Sequence, residues 1–120
     1  MGINVLVVDD DFINRKLLLT MLKKVSLVEN TIEAENGQDA LDKVGSQKID
    51  LILLDIVMPV MNGIEFLKVI RQNRFYTDIP IAVLSTDDSK KTETLNLGAN
   101  AFLTKPIREA ELTDLISSWF

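Results

Sequence analysis

The chain is 120 residues long, 47% hydrophobic and 26% charged, with a formal net charge of -5. That length supports one domain, 1–120, with one substantial core burying roughly two-thirds of its unfolded surface, and the acidic balance argues against nucleic acid as a direct ligand. Cys and His are both absent, which excludes a disulfide framework, a thiolate nucleophile, a zinc-cysteine site and Ser-His-Asp catalysis; any imidazole must come from a partner.

Ile3 to Val8 is a nearly continuous apolar run rich in β-branched residues, and it reads as a first strand ending at Asp9-Asp10-Asp11. A helical stripe follows, with Ile13, Leu17 and Met21 on one row and Leu18, Leu22 and Val25 on the next. Asp11 is placed to cap it. Thr31 to Glu35 reads as a weaker second strand. The Asn36-Gly37 pair would signal a hairpin elsewhere, but Ala40, Leu41 and Val44 follow at helical spacing and predict a short helix ending near Gly45. Leu51 to Leu54 has no polar alternation, as expected of a strand buried on both faces, and it stops at a single carboxylate, Asp55. Beyond Met58-Pro59 a helix is predicted from near Gly63, with Ile64, Leu67 and Ile70 as its inner row. Pro80 opens a fourth strand, Ile81 to Ser85. Ser89 to Leu97 reads as a helix stopped by Gly98, a poor one because of Thr92, Thr94 and Asn96. Ala101 to Thr104 is the fifth strand. After Lys105-Pro106, the row Leu112, Leu115, Ile116 and Trp119 predicts a last helix. No apolar run reaches the eighteen or so residues of a membrane span, and no signal-peptide pattern opens the chain; the expected location is the cytoplasm, with no membrane partner.

This βα alternation, about five times over with short connections, specifies an α/β fold: a doubly wound five-stranded parallel sheet with helices on both faces. Ligands of such sheets bind outside the carboxyl ends of the strands, at the topological switch point. Asp9, Asp10, Asp55, Ser85 and Lys105 all fall at carboxyl ends. Taken singly, each has a structural reading: one acid of the first cluster caps a helix, Ser85 or Asp87 caps another, and Lys105 is surface charge. Taken together, capping leaves two acids of Asp9-Asp10-Asp11 unexplained and does not explain a Lys between the fifth strand and Pro106.

Carboxylates converging on one point repel and raise each other's pKa unless a cation sits among them. All-oxygen ligands suit a hard ion, most simply Mg2+ (or Mn2+). A hydroxyl and an ammonium beside such a metal are what the oxygens of a phosphoryl group need. With no His or Cys, the best nucleophile is a carboxylate, and its product is an acyl phosphate.

The motifs VVDDD at Val7 to Asp11, LLDIVMPVMNG at Leu53 to Gly63, LST at Leu84 to Thr86 and LTKP at Leu103 to Pro106 resemble the receiver domain of two-component response regulators. The resemblance covers essentially the whole chain, with the motifs in order. It implies a flavodoxin-like sheet of order 2-1-3-4-5 flanked by five helices. It makes Asp55 the phosphoacceptor, with Asp9, Asp10 and Asp55 as metal ligands, Asp10 directly and Asp9 partly through water. Val57 would lend a backbone carbonyl to the metal. Ser85 would be the hydroxyl contacting the phosphoryl group, Lys105 the cation, and Phe102 the aromatic switch residue acting with Ser85. The implied partners are a sensor histidine kinase or histidine phosphotransfer protein upstream and an effector protein or domain downstream. Output would run through the face made by the fourth helix, the fifth strand and the last helix. Such a domain serves a phosphorelay and is not a turnover enzyme.

Three positions depart from the family's commonest pattern: Ser85 where Thr is usual, Thr86 where a smaller residue is usual, and Val57 where many relatives are polar. A haloacid dehalogenase-type phosphatase also uses a strand-end Asp, but needs a second Asp two residues on, where this chain has Val57. A flavin-binding electron carrier shares the sheet order, yet no phosphate-cradling Ser/Thr-rich loop follows the first strand. A chain ending at Trp119-Phe120 carries no effector domain, as expected of a stand-alone regulator, a relay carrier or a fragment of a larger protein.

Overall fold

The computed structural model describes residues 2–120. Strands and helices alternate in the order β1 (Ile3–Val8), α1 (Phe12–Leu22), β2 (Val28–Ala34), α2 (Gly37–Ser46), β3 (Leu51–Asp55), α3 (Gly63–Arg71), β4 (Ile81–Ser85), α4 (Lys91–Asn96), β5 (Ala101–Thr104) and α5 (Glu109–Trp119), with a single 3-10 turn at Asp88–Lys90 before α4. The sheet is five-stranded, parallel throughout, in the order β2-β1-β3-β4-β5.

Covering both faces of the sheet explains the unbroken apolar runs of the three central strands. Alternate residues of one strand feed opposite cores. Val5 and Val7 of β1, Leu51 and Leu53 of β3 and Leu84 of β4 pack under Leu18, Leu19 and Leu22 of α1 and Leu112 and Ile116 of α5. Leu6, Val8, Ile52, Leu54 and Val83 face the other way, against Ala40 and Val44 of α2 and Phe66, Leu67 and Ile70 of α3. A one-residue slip in any central strand would exchange its two apolar sets, so register is set by fit to two differently shaped cores.

The predicted bounds of β1, β3, β4 and β5 agree with the structure; three other expectations need correction. β2 runs from Val28 to Ala34, not Thr31 to Glu35. It is an edge strand whose Glu29 and Asn30 point to water, which weakens its apolar signal at the start. On α1 the row Ile13, Leu17 and Met21 does not face the core: Ile13 and Leu17 are 66% and 56% exposed. The buried face is Leu18, Leu19 and Leu22. On α3 the fully buried Phe66 joins Leu67 and Ile70, while Ile64 is only half-buried.

Helix starts are fixed by side-chain caps. The Asp11 carboxylate accepts from the amides of Ile13 and Asn14, the Asn36 side chain from the Asp39 amide, and Asn62 and Glu65 form a reciprocal capping box. Asn36-Gly37 therefore opens a helix, as its following apolar spacing requires, and does not make a hairpin. Gly63 is needed where α3 begins, because a Cβ there would run into the backbone carbonyl of Asp55. The first turn of α3 is thus packed directly behind the end of β3. Gly98, at φ 109°, ends the α4 segment in a conformation other residues rarely adopt.

Candidate functional site

β1 has β2 on one side and β3 on the other, so the chain reverses its direction of travel across the sheet at the β1/β3 boundary. A crevice opens there beyond the carboxyl ends of the strands. Asp9 and Asp10 follow β1 and Asp55 ends β3, which brings one carboxylate oxygen from each within 4.8 Å of the others.

Asp9 is 1% exposed and tied on every side. Its amide donates to Ala34 O of β2 at 3.0 Å, its Oδ1 accepts from the Asp11 amide at 2.9 Å, and its carbonyl accepts from Arg15 Nη1 at 2.7 Å. Arg15 is itself nearly buried, with its Nε 3.0 Å from Glu33 of β2. Lys16 bonds the same carboxylate at 2.8 Å and, with Arg15, holds the Glu33 carboxyl below its ordinary range. Asp10, by contrast, stands exposed at the mouth.

Asp55 is half-buried, and its Oδ1 accepts from the Ile56 amide at 2.9 Å. Lys105 reaches in from the end of β5, its Nζ 3.3 Å from Asp55 Oδ1 and 3.4 Å from Asp9 Oδ2. The Lys105 amide donates to Ser85 O at 2.8 Å, continuing the β4–β5 ladder by one residue and thereby aiming the side chain. Burial raises the Asp55 pKa; Lys105 opposes that rise and the neighbouring Asp9 adds to it. The ammonium alone does not offset the cost of these charges.

Ser85 is buried at the end of β4, with its Oγ accepting from the Asp87 amide at 3.0 Å. β3 and β4 pair Asp55 with Leu84, and β4 and β5 pair Ser85 with Thr104. Ser85 therefore lies one strand over from Asp55 and one residue beyond its register partner, toward the crevice. Val57 is 80% exposed at the mouth, and among the described residues nothing donates to its carbonyl. Thr86 and Asp87 are both exposed, but Asp87 Oδ1 is engaged by the Ser89 amide at 3.0 Å and the Ser89 hydroxyl at 2.6 Å. These bonds hold its carboxyl below its ordinary pKa. Phe102 is half-buried on β5, beside Val83, packed against the core under α2 and α3.

The structure thus brings Asp9, Asp10, Asp55 and Lys105 into one cluster, with Ser85 beside it and Val57 at its rim; Phe102 lies outside it. Sequence reasoning overlooked Arg15 and Glu33, which brace Asp9 from behind. Their pairing depends on the β1–β2 register. The outward row of α1 has a place as well: Leu17 and Met21 flank an apolar groove of about 230 Å³ with Pro106 and Ile107, and Lys105 forms part of its wall.

Chemically, three acid oxygens at this spacing suit a hard divalent cation such as Mg2+ or Mn2+. Burial, with the neighbouring Asp9, raises the pKa of Asp55, and a bound cation would favour its charged form. A carboxylate, an ammonium and a hydroxyl around one point match the needs of phosphoryl transfer to an acid.

Comparison with known proteins agrees. The family model described as the response regulator receiver domain matches residues 5–117. A protein-glutamate methylesterase/protein-glutamine glutaminase of Clostridium acetobutylicum is 44% identical over 117 residues, covering 94% of this chain and 33% of that protein. The chain therefore spans about a third of that relative. The chemotaxis protein CheY4 of Vibrio cholerae superposes over 100% of both chains with a TM-score of 0.89 at 31% identity. The receiver domain of a sensor histidine kinase from Pseudomonas aeruginosa, with a magnesium ion coordinated in its active site cleft, superposes with a TM-score of 0.88 at 26% identity, covering 99% of this chain and 98% of that one.

Proposed function

We propose that this chain, which belongs to the response regulator receiver domain family, takes a phosphoryl group onto Asp55 from a partner's phosphohistidine and signals the change to a downstream protein. The observation that carries this reading is the convergence of Asp9, Asp10 and Asp55 oxygens within 4.8 Å, with Lys105 Nζ 3.3 Å from Asp55.

In the transfer, an Asp55 carboxylate oxygen attacks phosphorus, the phosphorus–nitrogen bond of the donor breaks, and the imidazole leaves with the electron pair. The product is a mixed anhydride on Asp55. Asp9, Asp10 and Asp55, with the Val57 carbonyl, are the residues that would hold Mg2+, which when bound neutralises charge on the transferring oxygens. Lys105 is already within ion-pair distance of Asp55 and can follow the new negative charge. The Ser85 hydroxyl proton is not committed by the bond its oxygen accepts from the Asp87 amide, so it is available to a phosphoryl oxygen. Ser85 and Phe102 then act as the switch, and output runs through α4, β5 and α5.

The absence of His from the sequence fits a donor imidazole supplied in trans by a histidine kinase or histidine phosphotransfer protein. In this reading residues 1–120 form one receiver domain of the cytoplasm that turns over only its own phosphoryl group. No helix among the described residues is long and apolar enough to cross a membrane.

Incubation with acetyl phosphate and Mg2+, read by intact mass, tests the assignment. The wild type should gain one phosphoryl group and Asp55→Asn none. Equal labelling of the two would remove Asp55 from the role.

A further inference from the structure

The segment between β4 and α4, residues 86–90, follows Ser85 directly and is exposed over most of its length. Its own hydrogen bonds are local: the Asp87 amide to Ser85 Oγ, Ser89 to the Asp87 carboxylate, and the Lys90 amide to the Asp87 carbonyl. The helix it leads into is only six residues long and has no side-chain cap at its start. Apart from bonds to its chain neighbours Ser85 and Thr94, one side-chain hydrogen bond among the described residues joins this segment to another element. The Thr104 hydroxyl of β5 donates to Asp88 Oδ1 at 2.6 Å, a short bond with a charged acceptor. Thr104 is also the residue paired with Ser85 across the sheet.

We propose that Asp88 and Thr104 are positioning residues that hold the β4–α4 segment in its resting place and so set how readily Ser85 reaches a phosphoryl group on Asp55. The inference rests on the function proposed above. For Ser85 to turn its hydroxyl toward Asp55, its oxygen must leave or reorient its bond with the Asp87 amide, and the segment must follow. Asp88 is the next residue along, and its bond to Thr104 anchors the segment to the outer end of β5. Asp55 ends β3 and Thr104 ends β5, on opposite sides of β4, so movement of the segment toward Asp55 carries Asp88 away from Thr104 and the bond favours the resting arrangement. Removing it raises the fraction of molecules competent to bind the phosphoryl group, and apparent affinity rises by the same factor.

The test uses the full chain, saturating Mg2+ and beryllofluoride as the phosphoryl mimic, with affinity read by calorimetry and the state of the segment by amide chemical shifts. Thr104→Val removes the hydroxyl without changing charge. It should bind beryllofluoride about threefold tighter than wild type, the scale expected for one exposed hydrogen bond, and shift resting amide signals of residues 86–90 toward their beryllofluoride-bound positions. Thr104→Ser, which keeps the hydroxyl, should match wild type. In an Asp88→Ala background Thr104→Val should have no further effect, which separates the bond from the charge of Asp88. Thr104→Ala repeats the measurement with a smaller side chain if Val disturbs β5. Unchanged or weaker binding by both Thr104 variants, or an equal gain in the Asp88→Ala background, overturns the proposal. Failure of the wild type to bind beryllofluoride would instead overturn the phosphoacceptor reading, and this inference with it.

Discussion

On the β1–β3 side of the site, Asp9 is buried and held at its amide, its carbonyl and its carboxylate, and the Asp55 strand end is backed by the first turn of α3. On the β4–β5 side, Ser85 leads into a segment of local turns and a six-residue helix whose one side-chain tether to an element beyond β4, among the described residues, is Asp88 to Thr104. The first half is built to keep charges at fixed separations. The second has few bonds to lose on moving, as a switching element requires. A receiver domain needs both: a rigid place to take a charge and a loosely held one to report it.

The most damaging way to break the rigid half is to remove a metal ligand from it. Asp10→Ala should abolish the rise in melting temperature that Mg2+ gives the wild type and slow labelling by acetyl phosphate on the order of a hundredfold. Without Mg2+ the variant should be the more stable protein, because one of three crowded acids is gone. An unchanged Mg2+ titration would show that the acids do not act together.

Val57 tests the rim between the halves. The side chain is exposed and apolar, and the carboxylate of Asp87, on the β4 side of the site, is already engaged by Ser89. The phosphoryl group on Asp55 should therefore be long-lived. Val57→Asn should shorten its lifetime by about tenfold, a barrier change near 1.4 kcal/mol, as followed by the decay of the labelled mass. Equal or slower decay would show that Val57 is not the brake.

Asp55→Asn measures the electrostatic cost stored in the rigid half. Burial lifts the Asp55 pKa above its ordinary value of 3.8. Protonated Asp55 therefore favours the fold; that contribution is complete below pH 3.8 and is lost as pH rises through the raised value. At neutral pH the wild type bears the whole cost. Asp55→Asn should be more stable there, with the gap closing as the pH falls toward that ordinary value. Denaturant melts at the two pH values give the comparison, and a gap that widens in acid would contradict it.

Much of this was legible in the sequence, for definite physical reasons. Central strands buried on both faces print themselves as unbroken apolar runs, and the polar residue that stops each run is by construction at the mouth of the crevice. Asp9, Asp55, Ser85 and Lys105 are therefore legible as site residues from the sequence. β2 was misplaced because an edge strand shows water its Glu29 and Asn30. Of the two apolar rows that α1 offers, only Leu18, Leu22 and Val25 are buried, because the helix has more apolar residues than one face holds and its seat over the sheet decides between them. Arg15 with Glu33, and Thr104 with Asp88, lie 18 and 16 residues apart. They meet only through strand register, which periodicity does not give.

Amide chemical shifts with and without beryllofluoride, at saturating Mg2+, test the division of labour most directly. The β1–α1 turn should change only where its acids meet the mimic, while shifts extend from Ser85 through residues 86–90, along α4 to Phe102 and Thr104, and into α5. Changes confined to the pocket around Asp55, with residues 86–104 and α5 unmoved, would contradict it.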